Sequence, residues 1–185
     1  EGGVLNIDGT TITSTTTQPL YFRGSDGAAK NATVTGKNAV LSVRTAEVTI
    51  TNCNVTATGD RAIWVTSTQG TNPDFVGDAV VTIDGGTYTA ANKVIGAWDP
   101  ENDKFSTTIN VKNGTFKATD ANGKVFSFYG ATAAGATFVI TGGTFNDTAF
   151  AKVTDWAALC DAPAGYTVNV EGAGTSTVTI PAVKN

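Results

Sequence analysis

Short stretches in which apolar and polar residues alternate recur along this chain of 185 residues, and glycine or asparagine interrupts each of them. In VTIDGGTYT (81–89) the alternation stops at Gly85 and Gly86 and resumes at Thr87. A period of two predicts β-strands, and glycine inside such a pattern marks a turn or a close approach of two backbones. The pattern therefore predicts short strands joined by sharp corners.

Five segments of this kind align on the interrupting residue, and three columns of the alignment are apolar in all five. The segments are LNIDGTTIT (5–13), VTITNCNVT (48–56), VTIDGGTYT (81–89), INVKNGTFK (109–117) and FVITGGTFN (138–146). The first column holds Leu5, Val48, Val81, Ile109 and Phe138; the second holds Ile7, Ile50, Ile83, Val111 and Ile140; the third holds Ile12, Val55, Tyr88, Phe116 and Phe145. A further strand is expected ten residues after the third column, at Phe22, Val65, Trp98 and Phe126.

One column between the second and third apolar columns contains only glycine and asparagine. Its members are Gly9, Asn52, Gly85, Asn113 and Gly142. These two residue types adopt the left-handed backbone conformation most readily. We therefore expect a corner with positive φ at this position in every repeat.

The repeats predict a solenoid in which successive coils stack about 4.8 Å apart. Intervals between second-column residues are 43, 33, 28 and 29, so the strands are constant and the loops between them vary in length. A single coil cannot bury its own apolar columns, and stacking supplies the core. We expect one all-β domain with about five coils over residues 1–146.

The GGTF, GGTY and NGTF corners resemble those of right-handed parallel β-helix proteins, the pectate-lyase-like superfold. More narrowly, they resemble secreted or surface repeat proteins of bacteria that carry GGTF-type repeats. The resemblance covers residues 5–146 and implies a right-handed parallel β-helix. It implies little about function, because this superfold carries lyases, hydrolases, esterases, adhesins and phage fibres.

Residues 147–185 depart from the repeat and are expected to cap it within the same domain. In DTAFAKVTDWAALC (147–160) apolar residues recur at spacings of three and four, which predicts an amphipathic helix. The stretch YTVNVEGAGTSTVTIP (166–181) predicts a hairpin or a final pair of strands. Cys160 should then lie about three coils from Cys53, beyond the reach of a disulfide.

Composition excludes several classes of function. The sequence contains no histidine, which removes histidine-dependent nucleophile systems and imidazole metal sites. The net charge is −4 without a basic cluster, which argues against nucleic acid, and no apolar run is long enough to span a membrane. The chain lacks methionine and begins at Glu1, so we expect a processed or excised segment. A threonine-rich, lysine-poor chain suggests a secreted or cell-surface protein.

Candidate catalytic and metal-binding groups are sparse. The resemblance to polysaccharide lyases directs attention to Asp84 and Lys112, which should lie side by side on neighbouring coils as an acid–base pair or as an ordinary surface ion pair. The acidic stretch DPENDK (99–104) places Asp99, Glu101 and Asp103 where they could hold Ca²⁺, although its composition is also that of an ordinary turn. We assign no catalytic residue and expect no cofactor other than this Ca²⁺.

Aromatic and threonine side chains suggest binding surfaces. Tyr21 and Trp64 each precede an inward residue, so both should point outward from adjacent coils, as a platform for a sugar face or buried under a loop. Outward Thr-x-Thr pairs resemble those of ice-binding solenoids, but Lys117 and Asn146 interrupt the array.

Three functions stay open at this point. The first is a non-catalytic secreted or surface module that binds a glycan, a cell-surface protein or copies of itself. The second is a lyase or hydrolase that acts on acidic polysaccharides. The third is a filament or coat subunit, suggested by the absence of a cap before Leu5, which leaves strand edges available for pairing.

Overall fold

A computed structural model of the chain describes residues 3–67, 77–98, 105–129, 136–145, 160–161, 166–168 and 178–184. All regular elements in this part of the chain are β-strands. They are β1 (Val4–Asp8), β2 (Thr11–Thr13), β3 (Leu20–Arg23), β4 (Asp26–Lys30), β5 (Thr33–Gly36), β6 (Leu41–Arg44), β7 (Glu47–Ala57), β8 (Arg61–Thr66), β9 (Ala79–Ala90), β10 (Lys93–Trp98), β11 (Thr107–Ala118), β12 (Lys124–Tyr129), β13 (Ala136–Ile140), β14 (Thr144–Phe145), β15 (Cys160–Asp161), β16 (Tyr166–Val168) and β17 (Val178–Lys184).

The strands form two sheets. The larger sheet has 11 strands in the order β1-β4-β7-β9-β11-β13-β17-β16, with β2, β5 and β14 pairing beside this path. The smaller sheet has 6 strands in the order β15-β12-β10-β8-β6-β3. All pairs are parallel except those of β17 with β13 and with β16. Each circuit of the chain adds one level to both sheets, so the fold is an all-β arrangement compatible with a parallel β-solenoid.

Among the described residues the parallel part of the larger sheet has six levels, β1, β4, β7, β9, β11 and β13, so the expected count of about five is not supported. The additional level is formed by β4, β5 and β6, so Ile7 pairs with Ala29 and Ala29 pairs with Ile50. The 43-residue interval therefore contains two short circuits. Gly27 and Ala29 occupy the first two columns at this level, and these small residues give no apolar signal in the sequence.

The three predicted apolar columns run in register through the larger sheet and face the core. The third column, for example, pairs Ile12 with Val34, Val34 with Val55, Val55 with Tyr88, Tyr88 with Phe116 and Phe116 with Phe145. The rings of Tyr88 and Phe116 stack with their centroids 4.9 Å apart, and those of Phe116 and Phe145 are 5.3 Å apart. Burial of such rings and their offset stacking both stabilise the core.

The column predicted in the smaller sheet is only partly correct. Phe22 and Val65 share one column through Val43, but the column continues to Ala97 and Phe128. Trp98 instead lies opposite Thr66, and Phe126 lies opposite Ile95. The turns that lead from the larger to the smaller sheet cover residues 58–60, 91–92 and 119–123, so a fixed offset of ten residues cannot hold.

The corners between the second and third columns have two forms. Gly9, Asn31, Asn52 and Gly85 have φ between +51° and +81°. The expectation of positive φ at Asn113 and Gly142 is wrong, because Gly114 (+136°) and Gly143 (+124°) carry it instead. A Cβ on Gly114 would lie 3.1 Å from the Phe116 ring, and one on Gly143 would lie 3.0 Å from the Phe145 ring. The rings of Phe116 and Phe145 therefore favour glycine as the second corner residue at these two levels.

Two buried ionisable groups lie inside the stack near these corners. Tyr88 donates a hydrogen bond from its hydroxyl to the carbonyl oxygen of Gly85 at 2.9 Å, and burial raises the pKa of Tyr88 well above its usual range. Burial likewise raises the pKa of the Cys53 thiol. Both groups are therefore neutral in the folded protein over the physiological pH range.

The C-terminal region agrees with the prediction in part. The predicted helix over 147–160 lies outside the described residues except for Cys160, which belongs to strand β15. The described residues contain no helix, so the helical part of the cap has no support. The predicted strand pair is present, since β16 and β17 pair antiparallel and β17 also pairs with β13.

Cys53 and Cys160 are both buried thiols and are not joined to each other. Cys53 lies in β7 of the larger sheet and Cys160 in β15 of the smaller sheet.

Within the part of the chain that the structure describes, no helix has the length and apolar character required to cross a membrane.

Candidate ligand-binding face

The outer face of the smaller sheet contains the two aromatic residues that the sequence proposed for ligand binding. In one outward column Tyr21 pairs with Ser42, Ser42 with Trp64, and Trp64 with Gly96. Tyr21 and Trp64 therefore lie two levels apart, and the expectation that they occupy adjacent coils is wrong. The additional level, which the sequence pattern did not predict, inserts Ser42 between them.

Trp64 lies against two neighbouring side chains. The Arg61 guanidinium carbon is 4.3 Å from the centroid of the Trp64 ring, and the Trp98 ring centroid is 6.0 Å away. Arg61 also forms an ion pair with Asp60. Only 9% of Trp64 is exposed, which leaves a ligand little of this ring to contact.

Tyr21 is more accessible, because its side chain is only partly buried. The guanidinium carbon of Arg44 lies 5.8 Å from the Tyr21 ring centroid, within the range of a cation–π contact. Arg44 follows on the next strand, β6, in register with Arg23 of β3. Tyr21, Arg23 and Arg44 thus form one cluster, which we call the Tyr21 cluster.

Access to this face changes along the stack. Ser42, Thr66 and Ser127, on strands β6, β8 and β12 of the smaller sheet, are almost completely buried. The hydroxyl of Ser42 donates to the carbonyl oxygen of Ala39 at 2.9 Å, and that of Ser127 donates to the carbonyl oxygen of Ile95 at 3.4 Å. The partly exposed side chains of β3 and β6 therefore form the accessible end of the face.

The arginines were not among the site residues predicted from the sequence. A signal was present, because Tyr21 and Arg23 are two residues apart on one strand and side chains at that spacing share a face. Arg44 could be placed beside them only after β6 had been recognised as the neighbouring strand.

The proposed acid–base pair lies on the larger sheet. Asp84 and Lys112 are both exposed, and they belong to the adjacent strands β9 and β11. The register is irregular at this corner, so that Asp84 pairs with Asn113 and Lys112 has no direct partner on β9. Asp84 also pairs with Thr51 on the other side.

The proposed Ca²⁺ ligands Asp99, Glu101 and Asp103 lie outside the described residues. In the remaining, described part of the chain no group of three or more histidine, cysteine or acidic residues is arranged to hold a metal ion.

The outward threonines form a ladder on the larger sheet, and the additional level contributes Thr33 and Thr35 to it. The first row of the ladder runs through Thr11, Thr33, Asn54, Thr87, Thr115 and Thr144. The second row runs through Thr13, Thr35, Thr56, Thr89 and Lys117. Asn54 and Lys117 interrupt the regular array, which is otherwise a polar face of short side chains.

Comparison of the chain with protein-family models, with curated proteins and with solved structures finds no match. Function is therefore inferred from the residues and the geometry described above.

Proposed function

We propose that this chain is a non-catalytic module of a secreted or cell-surface bacterial protein, wound as a right-handed parallel β-helix, and that it binds glycans at the Tyr21 cluster. The observation that carries the proposal is the partly exposed Tyr21 ring beside the Arg44 guanidinium at 5.8 Å. The GGTF-type corners support the winding and the bacterial surface origin by resemblance.

The chemistry of the cluster favours a sugar. The face of an aromatic ring packs against the apolar face of a pyranose, and nearby donors then select its hydroxyl or acidic groups. A guanidinium supplies several such donors with fixed geometry. Tyr21 and Arg44 together offer both kinds of contact.

The rigid sheet beneath the cluster would favour binding. The inward residues Phe22 and Val43, on the same strands, are completely buried. The backbone nitrogen of Gly24 donates to the carbonyl oxygen of Arg44 at 3.0 Å, which fixes the corner that follows β3. A ligand that meets preorganised side chains loses less free energy to their ordering.

A glycan array followed by titration calorimetry tests this proposal. For a glycan that binds, we expect Tyr21→Ala to weaken the affinity about tenfold and Tyr21→Phe to weaken it less than about threefold, because the ring is retained. Thr82→Ala on the larger sheet is the matched control and should leave the affinity unchanged. Equal affinities for the wild type and Tyr21→Ala would refute binding at this cluster.

A self-assembling subunit is the second candidate, and the first level of the stack favours it. Val4 is 73% exposed and Leu5 is 39% exposed, and both lie on β1, which begins the strand order of the larger sheet. Exposed apolar residues on a sheet edge are suited to pairing with a strand from another chain.

Light scattering over a hundredfold range of concentration distinguishes the two candidates. A subunit should form ordered oligomers, and Leu5→Lys should abolish them because it places a charge on the pairing edge. Lys112→Glu, which also changes charge but lies on β11, four strands from β1 in the sheet order, should leave them intact. A monomer at every concentration would exclude self-assembly through β1.

A further inference from the structure

We propose that the paired arginines of the Tyr21 cluster form a site for a tetrahedral oxyanion, and that the glycan bound there is sulfated. The inference rests on the proposed glycan binding and specifies its chemistry. The observation behind it is the direct register of Arg23 on β3 with Arg44 on β6.

The backbone places the two guanidinium groups at equivalent positions. Each arginine is the last residue of its strand and is followed by a corner residue with positive φ, Gly24 at +59° and Thr45 at +52°. The backbone nitrogen of Thr45 donates to the carbonyl oxygen of Thr66 at 3.0 Å, which fixes the second corner as the first is fixed. Side chains from equivalent positions of neighbouring parallel strands start about 4.8 Å apart.

The two arginines begin from neighbouring strands and are both partly buried. Both arginine side chains are intermediate in exposure, and the Nε atom of Arg44 is buried without a hydrogen-bond partner. An anion at this position would supply an acceptor for the Arg44 Nε atom and would be attracted by two positive charges on neighbouring strands.

The number of donors points to a tetrahedral oxyanion. One guanidinium fork satisfies both oxygens of a carboxylate in a bidentate pair. A sulfate ester has three terminal oxygens in a tetrahedral arrangement, so it can accept hydrogen bonds from two forks that approach from neighbouring strands. A phosphate ester shares this geometry, and Tyr21 supplies the apolar surface for the attached sugar ring.

Calorimetry with four probes tests the inference: a sulfated oligosaccharide, the same oligosaccharide after desulfation, a phosphorylated oligosaccharide, and a uronate oligosaccharide that carries only carboxylates. We expect the sulfated form to bind at least about tenfold tighter than the desulfated and uronate probes, and no more weakly than the phosphorylated one. Arg44→Lys keeps the charge and removes the fork, and it should weaken binding of the sulfated form about tenfold. Lys30→Gln removes an exposed charge elsewhere and should change the affinity less than about twofold.

Several outcomes would overturn the inference. Equal affinity for the sulfated and desulfated forms would leave glycan binding in place and refute the oxyanion site. Tighter binding of the uronate or of the phosphorylated probe would assign the site to a different anion. A loss in Lys30→Gln with no loss in Arg44→Lys would show attraction by net charge alone.

Sodium sulfate separates failure of this inference from failure of the proposed function. If no glycan binds, sulfate should still raise the melting temperature of the wild type more than that of Arg44→Lys. Comparing the two rises removes the general effect of sulfate on folding, which is the same for both proteins. An equal rise in both proteins would refute the anion site independently of any glycan.

Discussion

The second residue of each corner correlates with the side chain that follows it in the third column. Where that side chain is Ile12, Val34 or Val55, the second corner residue is threonine, alanine or cysteine. Where it is aromatic, at Tyr88, Phe116 and Phe145, the second corner residue is glycine. At Gly114 and Gly143 the ring of the following phenylalanine occupies the space that a Cβ would need, so these GGTF-type corners follow from the aromatic core column. At Gly86 the backbone of Cys53 on the neighbouring strand occupies that space instead.

Replacement by alanine should reduce the free energy of unfolding by very different amounts at two of the corner glycines. Gly9 has φ +62°, and a Cβ at this position would meet no atom within 4 Å, so Gly9→Ala should cost only the left-handed penalty of about 1–2 kcal/mol. Gly86 has φ +96°, and its Cβ would overlap the Cys53 carbonyl oxygen and lie 2.7 Å from the Cys53 nitrogen. Gly86→Ala should therefore cost more than about 3 kcal/mol in the free energy of unfolding. Urea unfolding of both variants checks this, and equal losses would contradict the steric explanation.

Tyr88 should make the protein less stable in alkali. Burial raises the pKa of Tyr88 in the folded state, whereas the unfolded chain releases this proton near pH 10. Above that pH the folded state holds one proton more, so stability falls with rising pH by about 1.4 kcal/mol per unit. Tyr88→Phe should be less stable at pH 7 by about 1 kcal/mol, because it loses the hydrogen bond to Gly85.

Denaturant unfolding at pH 7, 10 and 11 measures the effect. The wild type should lose its advantage over Tyr88→Phe between pH 10 and pH 11. A constant difference over this range would mean that Tyr88 ionises equally in both states. Cys53→Ala offers an independent comparison, since the raised thiol pKa predicts the same sign of effect from about pH 9.

At the scale of elements, the strands β9 and β11 continue through the corner instead of ending there. β9 spans Ala79–Ala90 and β11 spans Thr107–Ala118, with register shifts between Val111 and Asn113 and between Asn113 and Thr115. The irregularity lies where Gly114 passes beneath the ring of Phe116. The corner and the third column therefore form one packing unit.

A double-mutant cycle tests this unit. Gly114→Ala places a Cβ 3.1 Å from the Phe116 ring, and Phe116→Val removes that ring. We expect Gly114→Ala to cost about 1 kcal/mol less in the Phe116→Val protein than in the wild type. Gly9→Ala, which has no neighbour within 4 Å, should have the same cost in both proteins. Additivity for both glycines would show that backbone conformation alone selects Gly114.

At the scale of the whole molecule, the levels of the stack are equivalent units. Arg23 and Arg44 hold the same position in successive levels, so removal of the 21 residues 24–44 joins matching points of the circuit. Since each level contacts only its neighbours, the shortened chain should still fold, with a lower melting temperature. Removal of residues 24–34 joins points that do not match in the circuit, because the deletion covers only about half of one level. This deletion should abolish cooperative unfolding. Circular dichroism and thermal melts compare the two deletions, and a loss of structure in the first would contradict modular stacking.

The candidate site could be predicted from the sequence only in part. Alternation on β3 places Tyr21 and Arg23 on one face, because a strand has a period of two. The sequence does not place Arg44 beside them, since Gly27 and Ala29 conceal the level that brings β6 next to β3. The strand pattern also could not predict the low exposure of Trp64, because that exposure depends on neighbouring side chains such as Arg61 and Trp98.

The sequence by itself determined the all-β class, the stacking of repeats in register and the apolar columns of the core, because these follow from the period-two pattern and the glycine or asparagine at each corner. Tertiary structure alone decided the number of levels, the site of positive φ at the Gly114 and Gly143 corners, and the pairing of Arg23 with Arg44. These features depend on which small residues fit against the neighbouring level and on where the aromatic rings pack. Packing of this kind depends on contacts between neighbouring levels, and it produces no periodic pattern in the sequence.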